Sequence, residues 1–204
     1  PLGSDSTQWS ADQGLWVSAE VEAAMNAAAG PNFTPPAHQV LSEGNTPNIT
    51  VTSTSDPTRV SVSGDLALRN SGALEVQGLS AGRAVVSADS GDLVLSGAAS
   101  VAGPALWRAE AGDVRLEANL SVQDALSLWA QDDLSLSAEV SATSLDVQAN
   151  TGDVIMSSAA RLLSSGGDVR VSAGGDVQLA QLDARASDGS RGDVAVLAGG
   201  AVSG

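Results

Sequence analysis

Glycine followed by aspartate and then an aliphatic residue recurs along the chain, and these carboxylates are the residues most able to do chemistry. The pairs include Gly64-Asp65, Gly91-Asp92, Gly112-Asp113, Gly152-Asp153, Gly167-Asp168, Gly175-Asp176 and Gly192-Asp193, with Asp132-Asp133 filling the gap in the middle. From Asp92 to Asp113, Asp133 and Asp153 the steps are 21, 20 and 20 residues. Glycine permits turn conformations closed to other residues. Aspartate at a turn accepts backbone N–H bonds within it. The reading favoured for Gly91, Asp92, Gly112, Asp113, Asp133, Gly152, Asp153, Gly175, Asp176, Gly192 and Asp193 is therefore structural, as turn-formers. The alternative is a stacked carboxylate ladder one coil apart, which calcium would relieve through its taste for hard oxygen ligands. The calcium-loading nonapeptide pattern is absent. No metal site or cofactor is expected, and calcium is expected to bind at most weakly.

Other catalytic constellations are missing. The single histidine, His38, lies in a proline-rich stretch with no evident partner. There is no cysteine, hence no disulfide or thiolate site. No nucleophile motif or phosphate loop is found. Polysaccharide lyases and hydrolases on β-helices need an acid and a base, or paired carboxylates, in one local cluster. Here the acids are spread by the repeat, so no enzymatic activity is expected. Trp107 and Trp129 are candidates for surface contact. Trp129 sits between Leu128 and Ala130, which share the inward phase, so it should point outward and could stack on a sugar or a partner protein. The bland alternative is that each tryptophan covers a coil junction.

The elements that carry these residues follow from the period. Hydrophobic residues alternate with polar ones: Val60 and Val62, Leu66 and Leu68, Val114 and Leu116, Leu120 and Val122, Leu126 and Leu128, Leu134 and Leu136. Such alternation marks strands with one face inward and one in water. About three short strands fit each repeat of about twenty residues, which predicts an all-β, triangular parallel β-helix. The crossover preference of parallel sheets makes it right-handed. Roughly seven coils would form a rod about 35 Å long. Leu116, Leu136 and Ile155 or Val154 should stack in successive coils. The long step from Asp65 to Asp92 suggests an outward loop around Gly78–Gly82, and the crowded pairs between Gly167 and Asp193 leave the phase there open. An antiparallel sandwich is disfavoured by the near-constant period and the scarcity of aromatics.

The chain divides into three parts. Residues 1–4 look like the remnant of a cleaved tag. Residues 5–49 have helical spacing at Val17, Val21, Ala24, Met25 and Ala28, with Ser18 as N-cap and Gly30-Pro31 as stop. They should form a helical cap or linker. Residues 50–204 hold the β-helix repeats, which are still running at Gly204, so the chain reads as a piece of a longer protein. The formal charge is −15, with arginine as the only basic type beside the single histidine. This disfavours nucleic acid and keeps a rod soluble. No run is long and apolar enough to insert in a membrane.

Segments such as Gly112-Asp113-Val114-Arg115-Leu116-Glu117-Ala118, Gly152-Asp153-Val154-Ile155-Met156-Ser157-Ser158 and Gly175-Asp176-Val177-Gln178-Leu179-Ala180 resemble repeats of filamentous-haemagglutinin-type proteins. These are large bacterial surface or secreted adhesins built on a right-handed β-helix. The resemblance spans about residues 60–204. It implies an extracellular or cell-surface rod that serves cell adhesion or biofilm attachment. Its partners would be a host or neighbouring-cell glycan or protein, together with flanking repeats of the same chain. Other readings are a carbohydrate-binding or polysaccharide-modifying β-helix, and the stalk of a contact-dependent toxin delivery protein. The Asn-rich motifs typical of the family's secretion domain are not evident in residues 5–60.

Overall fold

The computed structural model describes residues 7–10, 15–18, 39–43, 48–52 and 58–204. The described residues form strands and turns with no helix, and the coils are stacked by parallel pairing. One central coil shows the plan. Its strands are Val114–Leu116, Leu120–Val122 and Ala125–Ala130. Each pairs in parallel with its equivalents in the coils before and after. Three ladders result, one per side of a triangular cross-section. The first two join through the long strand Leu74–Ala81, whose early part pairs with Leu93–Leu95 and whose late part pairs with Ala99–Val101.

Alternation of side chains turns this register into a core. In the first ladder one inward row runs Leu74, Leu93, Val114, Leu134, Val154 and Val177. Its neighbour runs Val76, Leu95, Leu116, Leu136 and Met156. All of these are buried. The expected stack of Leu116 and Leu136 is therefore present, but its continuation is Met156. Val154 stacks on Leu134, and Ile155 pairs with Ser135 on the outer face, 37% exposed. A period of two permits only one of two adjacent residues to face inward.

Two expectations about loops are corrected. Gly78–Ala81 is not an outward loop; it lies within the strand Leu74–Ala81, and Leu79 is buried beneath Ala99. The long Asp65-to-Asp92 step is not one coil, because the two residues occupy different corners. Asp65 opens the third ladder, where its coil neighbour is Arg83, 18 residues on. Asp92 precedes the first ladder. An outward excursion does occur later, between Gln181–Asp183 and Val194–Ala198, pinned by an isolated bridge between Arg185 and Arg191.

At the start, Gln39–Glu43 and Asn48–Thr52 already pair in parallel with Thr58–Val62 and Asp65–Asn70, so the ladders reach back beyond residue 50. Before them, Thr7–Ser10 and Leu15–Ser18 form an antiparallel pair. Val17 and Ser18 thus lie in a strand, not at a helix start. The rest of the expected helix, residues 19–29, lies outside the described residues, as does His38.

Candidate functional site

The Gly-Asp corners resolve into two columns. The first precedes the first ladder and holds Asp92, Asp113, Asp133, Asp153 and Asp176. Each carboxylate reaches along the rod axis to the next coil, instead of closing its own turn as the sequence suggested. The backbone N–H of Asp113 donates to Asp92 Oδ1 at 3.1 Å. Asp133 donates to Asp113 Oδ1 at 3.1 Å, and Asp153 to Asp133 Oδ1 at 2.8 Å. Asp176 donates to Asp153 Oδ1 at 2.7 Å, and Ala201 to Asp176 Oδ1 at 2.7 Å. The carbonyls complete the link in the opposite direction: Val114 N–H donates to Asp133 O at 2.9 Å, and Leu134 N–H to Asp153 O at 2.8 Å. Every corner aspartate therefore ties its own coil to the coils on both sides.

The glycine is explained by the same geometry. A Cβ on Gly175 would lie 2.1 Å from Asp153 Oδ1, and one on Gly152 would lie 2.2 Å from Asp133 Oδ1. The glycine of one coil vacates the space occupied by the carboxylate of the coil before it. Gly91 has a different reason, a φ of 112°, which L side chains rarely adopt; a Cβ there would meet Ala73 and not a carboxylate. The Gly-Asp pair is thus a contact between coils, and its recurrence records stacking.

Gly192-Asp193 and Gly167-Asp168 belong to the second column, at the corner that opens the third ladder. Asp193 N–H donates to Asp168 Oδ1 at 2.9 Å, 25 residues apart. A Cβ on Gly192 would meet Gly167 O at 2.0 Å. The crowding of pairs between Gly167 and Asp193 therefore has a simple cause: two corners now use the same device.

Cations offset part of the charge. Arg115 on the outer face bridges Asp92 at 2.9 Å and Asp113 at 2.8 Å. Its pKa is raised, first by the hydrogen bond to Asp113 and then by the Asp92 charge. Arg83 pairs with Asp65 across the second corner and holds its carboxyl below the ordinary range. Among the described residues, no group of three or more His, Cys, Asp or Glu side chains is arranged to hold a metal ion.

The two tryptophans separate. Trp107 is not a surface contact: it stands in the inward row Val86, Trp107, Leu128 and Val147, and is 0% exposed. Its indole Nε1 is buried and has no hydrogen-bond partner among the described residues. Trp129 points outward as expected, between the buried Leu128 and Ala130, and is partly exposed. Its row on the outer face of the third ladder reads Arg108, Trp129, Gln148, Ser172 and Leu197. The adjacent outward row reads Leu106, Ser127, Asp146, Arg170 and Ala195. An open trough of about 880 Å³ runs along this face, lined by Ser127, Asp146, Asp168, Arg170 and Leu197 among others. Sequence reasoning singled out Trp129 but missed Asp146, Gln148 and Arg170. The ladder register sets Gln148 beside Trp129 in the next coil and places Asp146 and Arg170 in the adjacent outward row.

Comparison of the chain with protein-family models, with curated proteins and with solved structures finds no match.

Proposed function

We propose that this chain is a structural segment of a large secreted or surface-exposed bacterial adhesin, a rod that presents attachment regions without catalysis of its own. The observation that carries the reading is the column of corner aspartates. Its bonds run from coil to coil, at 3.1 Å or less from Asp92 to Ala201, and each added coil repeats them. Such a solenoid gains length in proportion to its repeats, and its stability is approximately a sum over the repeats and the interfaces between them. The formal charge of −15 suits a rod that stays dispersed in solution. Acid groups are distributed by the repeat and not gathered into an acid–base pair, so no turnover of pectin or alginate is expected.

The test is made in the organism that expresses the chain. Antibodies against residues 58–204 should label intact cells or their secreted fraction. Removal of two whole coils in register should reduce attachment while the protein is still exported. Antigen confined to the cell interior, or attachment unchanged by deletion of the entire 58–204 region, would refute the proposal.

A further inference from the structure

The outer face of the third ladder brings together side chains that the repeat alone does not explain. We infer that this face is a binding site for a linear, uncharged glycan, with Trp129 as the stacking platform and the Asp146–Arg170 trough as the track beside it. This deepens the rod reading by naming the chemistry of a partner, and it is tested separately from cell-surface location.

The argument begins with Trp129. Its side chain is half-buried on the outer face of the sheet, one row to the side of the trough lining. The part of the indole left open to solvent offers a flat apolar surface to the C–H face of a pyranose ring. Around it stand groups that hydrogen-bond hydroxyls in several directions. Gln148 is its strand-to-strand neighbour in the next coil, and Arg108 in the coil before. Ser127 lies two residues back on the same strand, about 6.6 Å along it. Asp146 and Arg170 follow Ser127 in register.

Asp146 and Arg170 are direct cross-strand neighbours, yet they form no ion pair with each other. Both are exposed, and neither makes a side-chain hydrogen bond to another described residue. An acceptor and a fork of donors are thus left open side by side on the floor of a trough. Sugar hydroxyls, which donate and accept, satisfy both kinds of group.

Shape and charge select the ligand class. The trough extends from Ala105 to Ala195, four strand spacings, or about 19 Å. That is the form of an extended chain of several sugar rings, not of a compact metabolite. The trough carries Asp146, Asp168 and Asp193 against Arg170. This acidic balance, on a chain of charge −15, repels uronate and sulfated polymers and leaves neutral ones as the match.

The experiment uses the full chain with 15N labelling and three probes: cellohexaose, N-acetylchitohexaose and a hexagalacturonate. One of the neutral hexasaccharides should bind with a Kd on the order of 1 mM or tighter. It should shift the Trp129 indole N–H and the amides of residues 125–129, 144–148 and 168–172, leaving the first ladder unmoved. Trp129→Ala should weaken binding by roughly tenfold, Trp129→Phe by less, and Asp146→Ala by at least about threefold. The substituted side chains are on the outer face, so melting temperatures should stay close to that of the parent; the Trp129→Phe variant retains an aromatic platform if the alanine variant is unstable. Binding of hexagalacturonate alone, shifts confined to another ladder, or no binding of either neutral hexasaccharide at 10-fold above the expected Kd would overturn the inference. None of those results bears on whether the rod is displayed on cells.

Discussion

Replacing Gly175 by alanine tests the idea that the Gly-Asp pair is a contact between coils. The new Cβ would sit 2.1 Å from Asp153 Oδ1, while its next neighbour, Gly152 O, is at 3.2 Å. Only the carboxylate has to move far. As it swings away, it gives up the bond from Asp176 N–H at 2.7 Å. A buried N–H left unpaired costs up to about 3 kcal/mol, but this corner is exposed and water can replace the lost acceptor, so about 1 kcal/mol is expected. Asp153→Ala removes the same bond and should cost about the same. In the double variant the clash is gone and the bond can be lost only once. Alanine also restricts the unfolded chain, which returns about 0.4–1 kcal/mol. The double variant should therefore be no less stable than either single one, a coupling of about 1 kcal/mol or more. For a chain of this size each single change lowers Tm by about 2–4 °C. Asp153→Asn keeps an oxygen acceptor and should be nearly neutral. Urea denaturation of the four proteins measures the cycle. Strict additivity would show that the carboxylate and the glycine do not share the space, and the reasoning would fail.

Leu136→Asp should be severely destabilising, by several kcal/mol, because it places an unpaired charge in the dry inward row between Leu116 and Met156; loss of the strand signal in far-UV circular dichroism at 37 °C checks it. Acid should weaken the chain on its carboxylate side. Arg83 lowers the Asp65 pKa, Arg185 lowers that of Asp183, and the backbone and side chain of Ser190 lower that of Asp188. A depressed folded-state value means the contribution is complete above the ordinary value of 3.8 and is lost as pH falls through the lower folded values. Melting temperature should accordingly be level from pH 7 to about 5 and fall below about 4. Calcium should give only a small, unsaturable rise in Tm beyond that of matched ionic strength, since the corner carboxylates already use Oδ1 as acceptors. A saturable shift at micromolar calcium would instead make them ligands.

The sequence by itself determined the class of fold and the phase of its strands. Alternation at Leu134 and Leu136, or Leu126 and Leu128, is a local property, and burial of one face follows from it wherever the strand is placed. The period near twenty records the circumference of one coil, so it too was legible. Tertiary structure decided everything that depends on which residue lies above which. Gly167-Asp168 and Gly152-Asp153 are chemically alike, yet they occupy different corners, and only the stacking register tells them apart. The same register set Met156, not Ile155, on Leu136, and placed the inward-facing Trp107 between Val86 and Leu128. It also gathered Trp129, Gln148, Asp146 and Arg170 on one outer face from three different coils. The physical reason is that each of these contacts joins residues 19 or more apart, through parallel hydrogen bonds whose alignment is set by the whole turn between them. A local pattern fixes which way a side chain points; the length of the intervening coil fixes what it meets there.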